Sequence, residues 1–291
     1  MAAPIKTDVA IVGAGIIGLA VAFRLVAEGR EVLVIDPNEP GSGSSYGNAG
    51  AIAPYGCAPI GNPDVLRTLP SLLFASDSPL AIRPAALPTL LPWLSRFVWQ
   101  SMPARARRNG HALAGLLKDA IHTWRDLAMQ AGVSDLFRHE GCLYFYREKM
   151  PPGNSEWAAR LRDELGVRHD RLTSAEVAKL EPALPPAAGG VFFPDAEHIV
   201  DPGALTRRLA AAAESRGASF QRSRVEQLGP GTAGTSRSLA SISLSMRVSS
   251  FSPPAHGRAL SRGKVERTFP SIRSVATTSN SRWRLAPSEG P

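Results

Sequence analysis

One short stretch near the start limits what this chain can fold into. Val9 to Phe23 run fifteen residues without a charge, and three glycines punctuate the run as Gly13-Ala14-Gly15-Ile16-Ile17-Gly18, the GxGxxG spacing. Thr7 to Val12 ahead of the glycines cluster β-branched residues and read as a short buried strand. Ile16 to Glu28 have helical composition and end at Gly29, a C-cap residue. Glu31 to Ile35 then form a second apolar strand closed by Asp36. A membrane span needs about 20 apolar residues, and Asp8 sits just before the run, so a β-α-β unit is the reading that remains.

Each part has a physical task if a dinucleotide binds. Gly13 permits the tight turn, Gly15 lets the backbone approach a pyrophosphate, and Gly18 lets the helix pack closely on the strand. Ala14, Ile16 and Ile17 complete that turn, with phosphates facing a helix N-terminus whose unpaired N–H groups favour anions. Asp36 stands 18 residues after Gly18, near the ~20-residue spacing at which a carboxylate reaches a ribose hydroxyl. An acid there disfavours a 2′-phosphate.

At 291 residues the chain is long enough for one large or two medium domains. Its charge needs locating, because a net +8 would otherwise point to nucleic acid or an anionic membrane. Residues 230 to 291 hold eight Arg and one Lys against two Glu, a net +7, and the other 229 residues, with 24 basic and 23 acidic groups, carry +1. No specific nucleic-acid partner is expected of the nearly neutral body. Cys57 and Cys142 are the two cysteines and form no ligand-like spacing with the six histidines, so no metal is expected and a cytoplasmic setting suffices.

The same unit serves NAD and FAD, so the following segment discriminates between them. Residues 37 to 50 read PNEPGSGSSYGNAG, small and polar where a nicotinamide enzyme enters another crossover helix. Such a stretch is either a flexible surface loop or a loop whose amides approach a bound cofactor. Here the chain resembles the D-amino-acid dehydrogenase and glycine oxidase (DAO) family of FAD-dependent oxidoreductases. The resemblance is carried by VAIVGAGIIGLAVAFRLVAEG, EVLVID, SSYGNAGAIAP, GCLYFY (141–146), RLTSAEVAKLEPAL (171–184) and GGVFFPDAEHIVDPGALTRRLAAAAESRGASF (189–220), which together span most of residues 5 to 228. The opening is shared by many flavoproteins, whereas the SSxxNAG loop and the GGVFFPD…DP pattern are more specific.

The resemblance implies that Gly13, Gly15 and Gly18 hold the FAD pyrophosphate and Asp36 the adenosine ribose. It places Ser44, Ser45, Asn48, Ala49 and Gly50 near the phosphates and flavin ring, and the Val225 backbone at the adenine. It implies hydride transfer from the α-carbon of a small amine or amino acid to flavin N5, leaving an imine that becomes a 2-oxo acid and ammonia, with oxygen or a quinone as electron acceptor. No side-chain base is required, so no catalytic residue is assigned. In related enzymes an arginine for the substrate carboxylate and a GxRP-type segment lie in the C-terminal third; neither is identified here. Peripheral contact with the inner face of a membrane is a further implication.

The expected architecture is α/β: an FAD-binding Rossmann-like domain from residues 1–82 and 200–229, with an inserted α+β substrate domain over 83–199 that contains an antiparallel sheet. A helix is expected from near Pro92, bearing Trp93 and Trp99 and either core-facing or docked on a membrane. His111 to Met129 reads as one more helix, and Thr173 with Glu176 as a capping box. Asp195, Glu197, His198 and Asp201 lie together but are read as fold rather than acid–base chemistry, with Asp201-Pro202 opening a helix over 203–216. Residues 230–291 contain 14 Ser and no Asp, and 19 of 62 are hydrophobic. That composition buries too little to offset about 1 to 2 kcal/mol of backbone entropy per residue. They are expected to be a disordered tail with one strand near 242–248, an unrelated or frame-shifted replacement for enzyme sequence that stops near Leu228. Two other readings follow: an inactive fragment, or a binder of anionic partners through the tail.

Overall fold

The computed structural model describes residues 7–74, 84–148, 155–230, 244–250, 264–268 and 274–277. In chain order the elements begin with β1 (Val9–Val12), α1 (Ile16–Ala27), β2 (Val32–Asp36), β3 (Ala51–Ile52) and α2 (Pro63–Phe74). There follow α3 (Leu87–Gln100), α4 (Pro103–Leu117), α5 (Ala120–Ala131), β4 (Phe137–Arg138), β5 (Cys142–Tyr146) and α6 (Glu156–Glu164). Next come β6 (Asp170–Thr173), α7 (Ser174–Leu180), β7 (Gly189–Phe193), β8 (Glu197–Ile199) and α8 (Pro202–Ser215). The last four are β9 (Ser219–Pro230), β10 (Leu244–Ser250), β11 (Lys264–Thr268) and β12 (Ser274–Thr277).

These residues group into two compact units. The first comprises the described residues within Met1–Gly50, Leu127–Leu136 and Val200–Pro291, the second those within Ala51–Asp126 and Phe137–Ile199. The boundaries differ from 1–82, 83–199 and 200–229 for two local reasons. Ala51 and Ile52 pair with His198 and Glu197 of β8, which draws that stretch into the second unit. Residues 127–136 are tied to the first by Arg208 on Asp135 (2.7 Å) and by Arg216 on the Gln130 carbonyl (2.9 Å).

The first unit is built on a six-stranded sheet in the order β11-β10-β9-β2-β1-β12. β1 runs parallel to β2 and to β12, and β2 parallel to the first four residues of β9. Val9 to Val12 and Val32 to Ile35 are all buried, as strands covered on both faces must be. α1 turns Leu19, Ala22 and Phe23 inward, and α8 turns Leu205, Leu209 and Ala213 inward, each a one-sided stripe at helical spacing. α1 ends in a Schellman arrangement: Arg30 N–H donates to Leu25 O and Gly29 N–H to Val26 O, both 3.0 Å, with Gly29 at φ +75°. Past Arg222, β9 leaves the parallel pairing and pairs antiparallel with β10.

The second unit holds two antiparallel three-stranded sheets, β3-β8-β4 and β5-β7-β6. Thr173 and Glu176 form the capping box of α7. Asp201 Oδ1 accepts from Ala204 N (2.7 Å) and caps α8, with Pro202 at its first turn.

Three expectations are corrected. The helix expected from Pro92 starts at Leu87, with Pro88 in its first turn and Pro92 inside it; the helix tolerates the one N–H that Pro92 cannot donate. The single helix over 111–129 is two, interrupted at Lys118–Asp119. The stretch from residue 230 supplies three strands where one was expected. β10 matches that strand, while KVERT of β11 and SVAT of β12 are too short for periodicity to mark them and are defined by their partners, β10 and β1.

Candidate functional site

The candidate site lies where β1 gives way to α1. Gly13 sits at φ +106°, open to glycine and strained for other residues, and its N–H donates to Ile35 O at 2.8 Å. Gly15 is the N-cap of α1 and brings no side chain to cap it. The first-turn amides are therefore left to other acceptors. One of them, Ile16 N–H, donates to Ser45 Oγ at 3.1 Å, so the following loop already presents oxygen at the helix N-terminus.

Gly18 faces the other way. A Cβ built on it would stand 2.0 Å from Gly13 O and 3.3 Å from Ile11 Cγ2, so its role is the close approach of helix to strand. Asp36 ends β2 and braces the turn: Oδ2 accepts from Ala14 N (2.9 Å) and Oδ1 from Asn38 N (2.8 Å). The loop beyond is held down at Gly41, whose N–H donates to Ala14 O (2.8 Å). At φ +75° Gly41 lies so close to α8 that a Cβ would meet Thr206 Oγ1 at 2.1 Å.

These pieces enclose a cavity of about 930 Å³ formed entirely by the first unit. Gly13, Ala14, Gly15, Ile16 and Ile17 line one side. Asp36, Ser44, Ser45 and Asn48 line the rest among the residues singled out from sequence. Asn48 is anchored by its own turn, with Nδ2 donating to Ser45 O and Oδ1 accepting from Gly50 N. Gly18, Ala49, Gly50 and Val225 are not in the lining; Val225 is buried in β9 opposite Val248. Asn38, Glu39, Gly41, Ser42 and Gly43 line the cavity and were not singled out. The signal for them was the unbroken small polar run in which they sit.

The donor set suits a phosphate-bearing dinucleotide. Among the described residues the lining contains no Lys or Arg, so an anion would be held by backbone amides and the positive end of α1. Of the two acids present, Glu39 is engaged by Arg222 of β9 at 2.8 Å, while Asp36 faces the cavity with its remaining lone pairs. A carboxylate so placed accepts hydroxyl donors and repels an extra phosphate.

Residues 8–241 match the sequence model of the family described as FAD dependent oxidoreductase. Over 231 residues the chain is 36% identical to the D-amino-acid oxidase of Bradyrhizobium diazoefficiens, covering 77% of this chain and 54% of that protein. Over 202 residues it is 33% identical to D-amino acid dehydrogenase 2 of Ralstonia nicotianae, covering 67% and 47%. Among solved structures, glycine oxidase from Geobacillus kaustophilus superposes with a TM-score of 0.54 at 20% identity, covering 94% of this chain and 55% of that one. At that identity the likeness shows the fold. The chain spans about half the length of the curated relatives it matches.

Proposed function

We propose, since this chain belongs to the FAD-dependent oxidoreductase family, that the glycine-rich cavity holds FAD and that the protein dehydrogenates a small amine or amino acid, D-amino acids and glycine being the first classes to try. The observation that carries the proposal is the cavity itself, lined by the N-terminal turn of α1, which has no side-chain cap at Gly15, and by Asp36. Flavin, when bound, would supply the hydride acceptor for the substrate α-carbon, and water would convert the imine product to a 2-oxo acid and ammonia.

The chain's own residues do the holding. The Gly13–Ile17 turn takes the diphosphate, Gly18 keeps α1 against β1, and Asp36 accepts the ribose hydroxyls. Ser44, Ser45 and Asn48 form the wall toward the flavin end; Ala49 and Gly50 continue that loop beyond the lining, and the Val225 backbone, outside the lining in β9, is the candidate for the adenine. Oxygen or a quinone takes the electrons; one relative is named an oxidase and another a dehydrogenase. Among the described residues no helix is long and apolar enough to cross a membrane. Membrane contact in this proposal is peripheral, at an inner membrane face, through α3.

The test is optical. The purified chain, reconstituted with FAD if necessary, is expected to be yellow and to bleach without oxygen on addition of a D-amino acid, glycine or proline. A protein that never retains flavin overturns the proposal. A yellow protein that none of the three bleaches is an inactive flavoprotein, and the amino-acid part falls. Retention on an anionic matrix that disappears with residues 230–291, in a colourless protein, identifies a binder of anionic partners instead.

A further inference from the structure

A second cavity, about 530 Å³, is formed entirely by the second unit. That volume lies in the range of small-molecule sites. Glu197 lines it from β8 and is 3% exposed. Its carboxyl group is held unevenly. Oε1 accepts from Arg125 Nε at 2.6 Å, lies against Arg125 Nη2, and stands 2.8 Å from His139 Nδ1. Oε2 is buried and has no hydrogen-bond partner. Two guanidinium nitrogens and an imidazole nitrogen thus crowd one oxygen of a carboxylate while the other has no partner. Leaving such an acceptor unmet is costly, more so when the group is charged.

The rest of the lining narrows what could meet it. Tyr55 and Phe193 stack at 4.0 Å between centroids and give the cavity an aromatic wall. Burial, and then the hydrogen bonds to Cys142 and Tyr144, push the Tyr55 phenol well above its ordinary range, so that wall stays uncharged. Arg125 already balances Glu197, so a bare cation would bring in unbalanced charge, whereas a zwitterion would not. Lys118 also lines the cavity, and the carboxylate beside it, Asp119, is 3.8 Å away with both side chains mostly exposed, a weak pair. Arg125 and His139, the groups over Glu197, keep 56% and 53% of their side-chain surface exposed. An ammonium reaches the carboxylate by displacing one solvated donor.

We propose that this cavity binds a small zwitterion of the amino-acid class, with Glu197 taking the ammonium, Lys118 the carboxylate, and the Tyr55–Phe193 wall an apolar side chain. The site shares no lining residue with the glycine-rich cavity and does not rest on the flavin reading.

Isothermal titration calorimetry on the full chain tests it with D- and L-phenylalanine, 3-phenylpropionate, which lacks the ammonium, and 2-phenylethylamine, which lacks the carboxylate. At least one phenylalanine enantiomer is expected to bind tenfold or more tightly than either analogue. Glu197→Gln should weaken that amino acid and phenylethylamine tenfold or more and leave phenylpropionate unchanged. Lys118→Ala, at an exposed position that leaves the fold intact, should weaken the amino acid and phenylpropionate and spare phenylethylamine. Gly15→Leu, which places a bulky side chain in the lining of the other cavity, should change none of these once circular dichroism shows it folded. Should Glu197→Gln fail to fold, Lys118→Ala and the analogue comparison on the unaltered chain decide the matter. The proposal is overturned if neither enantiomer gives heat at millimolar concentration, if phenylpropionate binds as tightly as phenylalanine, if Lys118→Ala leaves amino-acid binding intact, or if binding vanishes in Gly15→Leu.

Discussion

Gly15 and Gly18 sit three residues apart, and the structure assigns them different penalties. A methyl at Gly18 would strike the Gly13 carbonyl, which is backbone and cannot step aside. Gly18→Ala is therefore expected to cost about 1–3 kcal/mol as overpacking, read from a urea midpoint, and to lower flavin uptake with it. At Gly15 the new Cβ meets only Ser45 Oγ, at 3.3 Å, with backbone at φ −79°. Gly15→Ala should lose less stability than Gly18→Ala and still lower flavin affinity. Equal stability losses in the two variants would contradict this division.

On the surface, Glu164 receives Arg107 Nε at 2.9 Å and His111 Nε2 at 2.6 Å. The Arg107 hydrogen bond and then that of His111 hold its carboxyl down to about 2. A depressed folded-state value means the stabilisation is complete above the unfolded value of 4.5 and is lost as pH falls from there toward 2. The difference in melting temperature between the native chain and Glu164→Gln should shrink across that window. A difference constant with pH would refute the pairing. The group is exposed, so the effect at neutral pH is expected to be small.

Among the elements, α8 depends most visibly on its cap. Asp201 is its side-chain N-cap, and Asp201→Ala should destabilise by ~1 kcal/mol, whereas Asp201→Asn should restore most of the loss; thermal melts of the pair distinguish a cap from a packing role. α3 makes a different point. None of its residues is buried, which removes the fully core-facing reading, and Leu90, Leu94, Phe97 and Val98 form only a half-buried stripe. Leu91, Trp93 and Trp99 are more than half exposed, and Arg105 lies over the Trp99 ring at 3.5 Å. Apolar aromatics beside arginines suit the headgroup region of an anionic bilayer. Co-sedimentation with phosphatidylglycerol vesicles should fall several-fold in Trp93→Ser/Trp99→Ser, while binding unchanged by the double substitution would remove α3 from any membrane role.

At the scale of the whole molecule, the central sheet is completed from far along the chain. β12 covers the outer side of β1, whose residues are fully apolar and buried. Ending the chain at residue 268 should leave β1 as a hydrophobic edge, a template for association. Light scattering should then show higher-order species; a monodisperse shortened chain would mean that β1 needs no such cover.

The β1-α1-β2 unit and the glycine cavity were legible because everything they need falls within residues 7 to 48. A glycine three positions from another and an acid at the end of the next strand are spacings that local geometry converts directly into a phosphate-sized turn. The capping residues Thr173, Glu176 and Asp201 were legible for the same reason, their partners being three residues away. Asn38, Glu39, Gly41, Ser42 and Gly43 were missed within a run that had been noticed, since composition does not say which of its residues face the cavity.

Long-range pairing decided the rest. The strands β11 and β12 exist through partners across the sheet, and their own residues carry too little pattern to announce them. Glu197 looked like one acid in a loose polar cluster. Its burial, the crowding of donors on one oxygen and the neglect of the other come from residues 125, 139 and 197 meeting in space. No spacing along the chain encodes that meeting; the packing of helix and strand around β8 produces it.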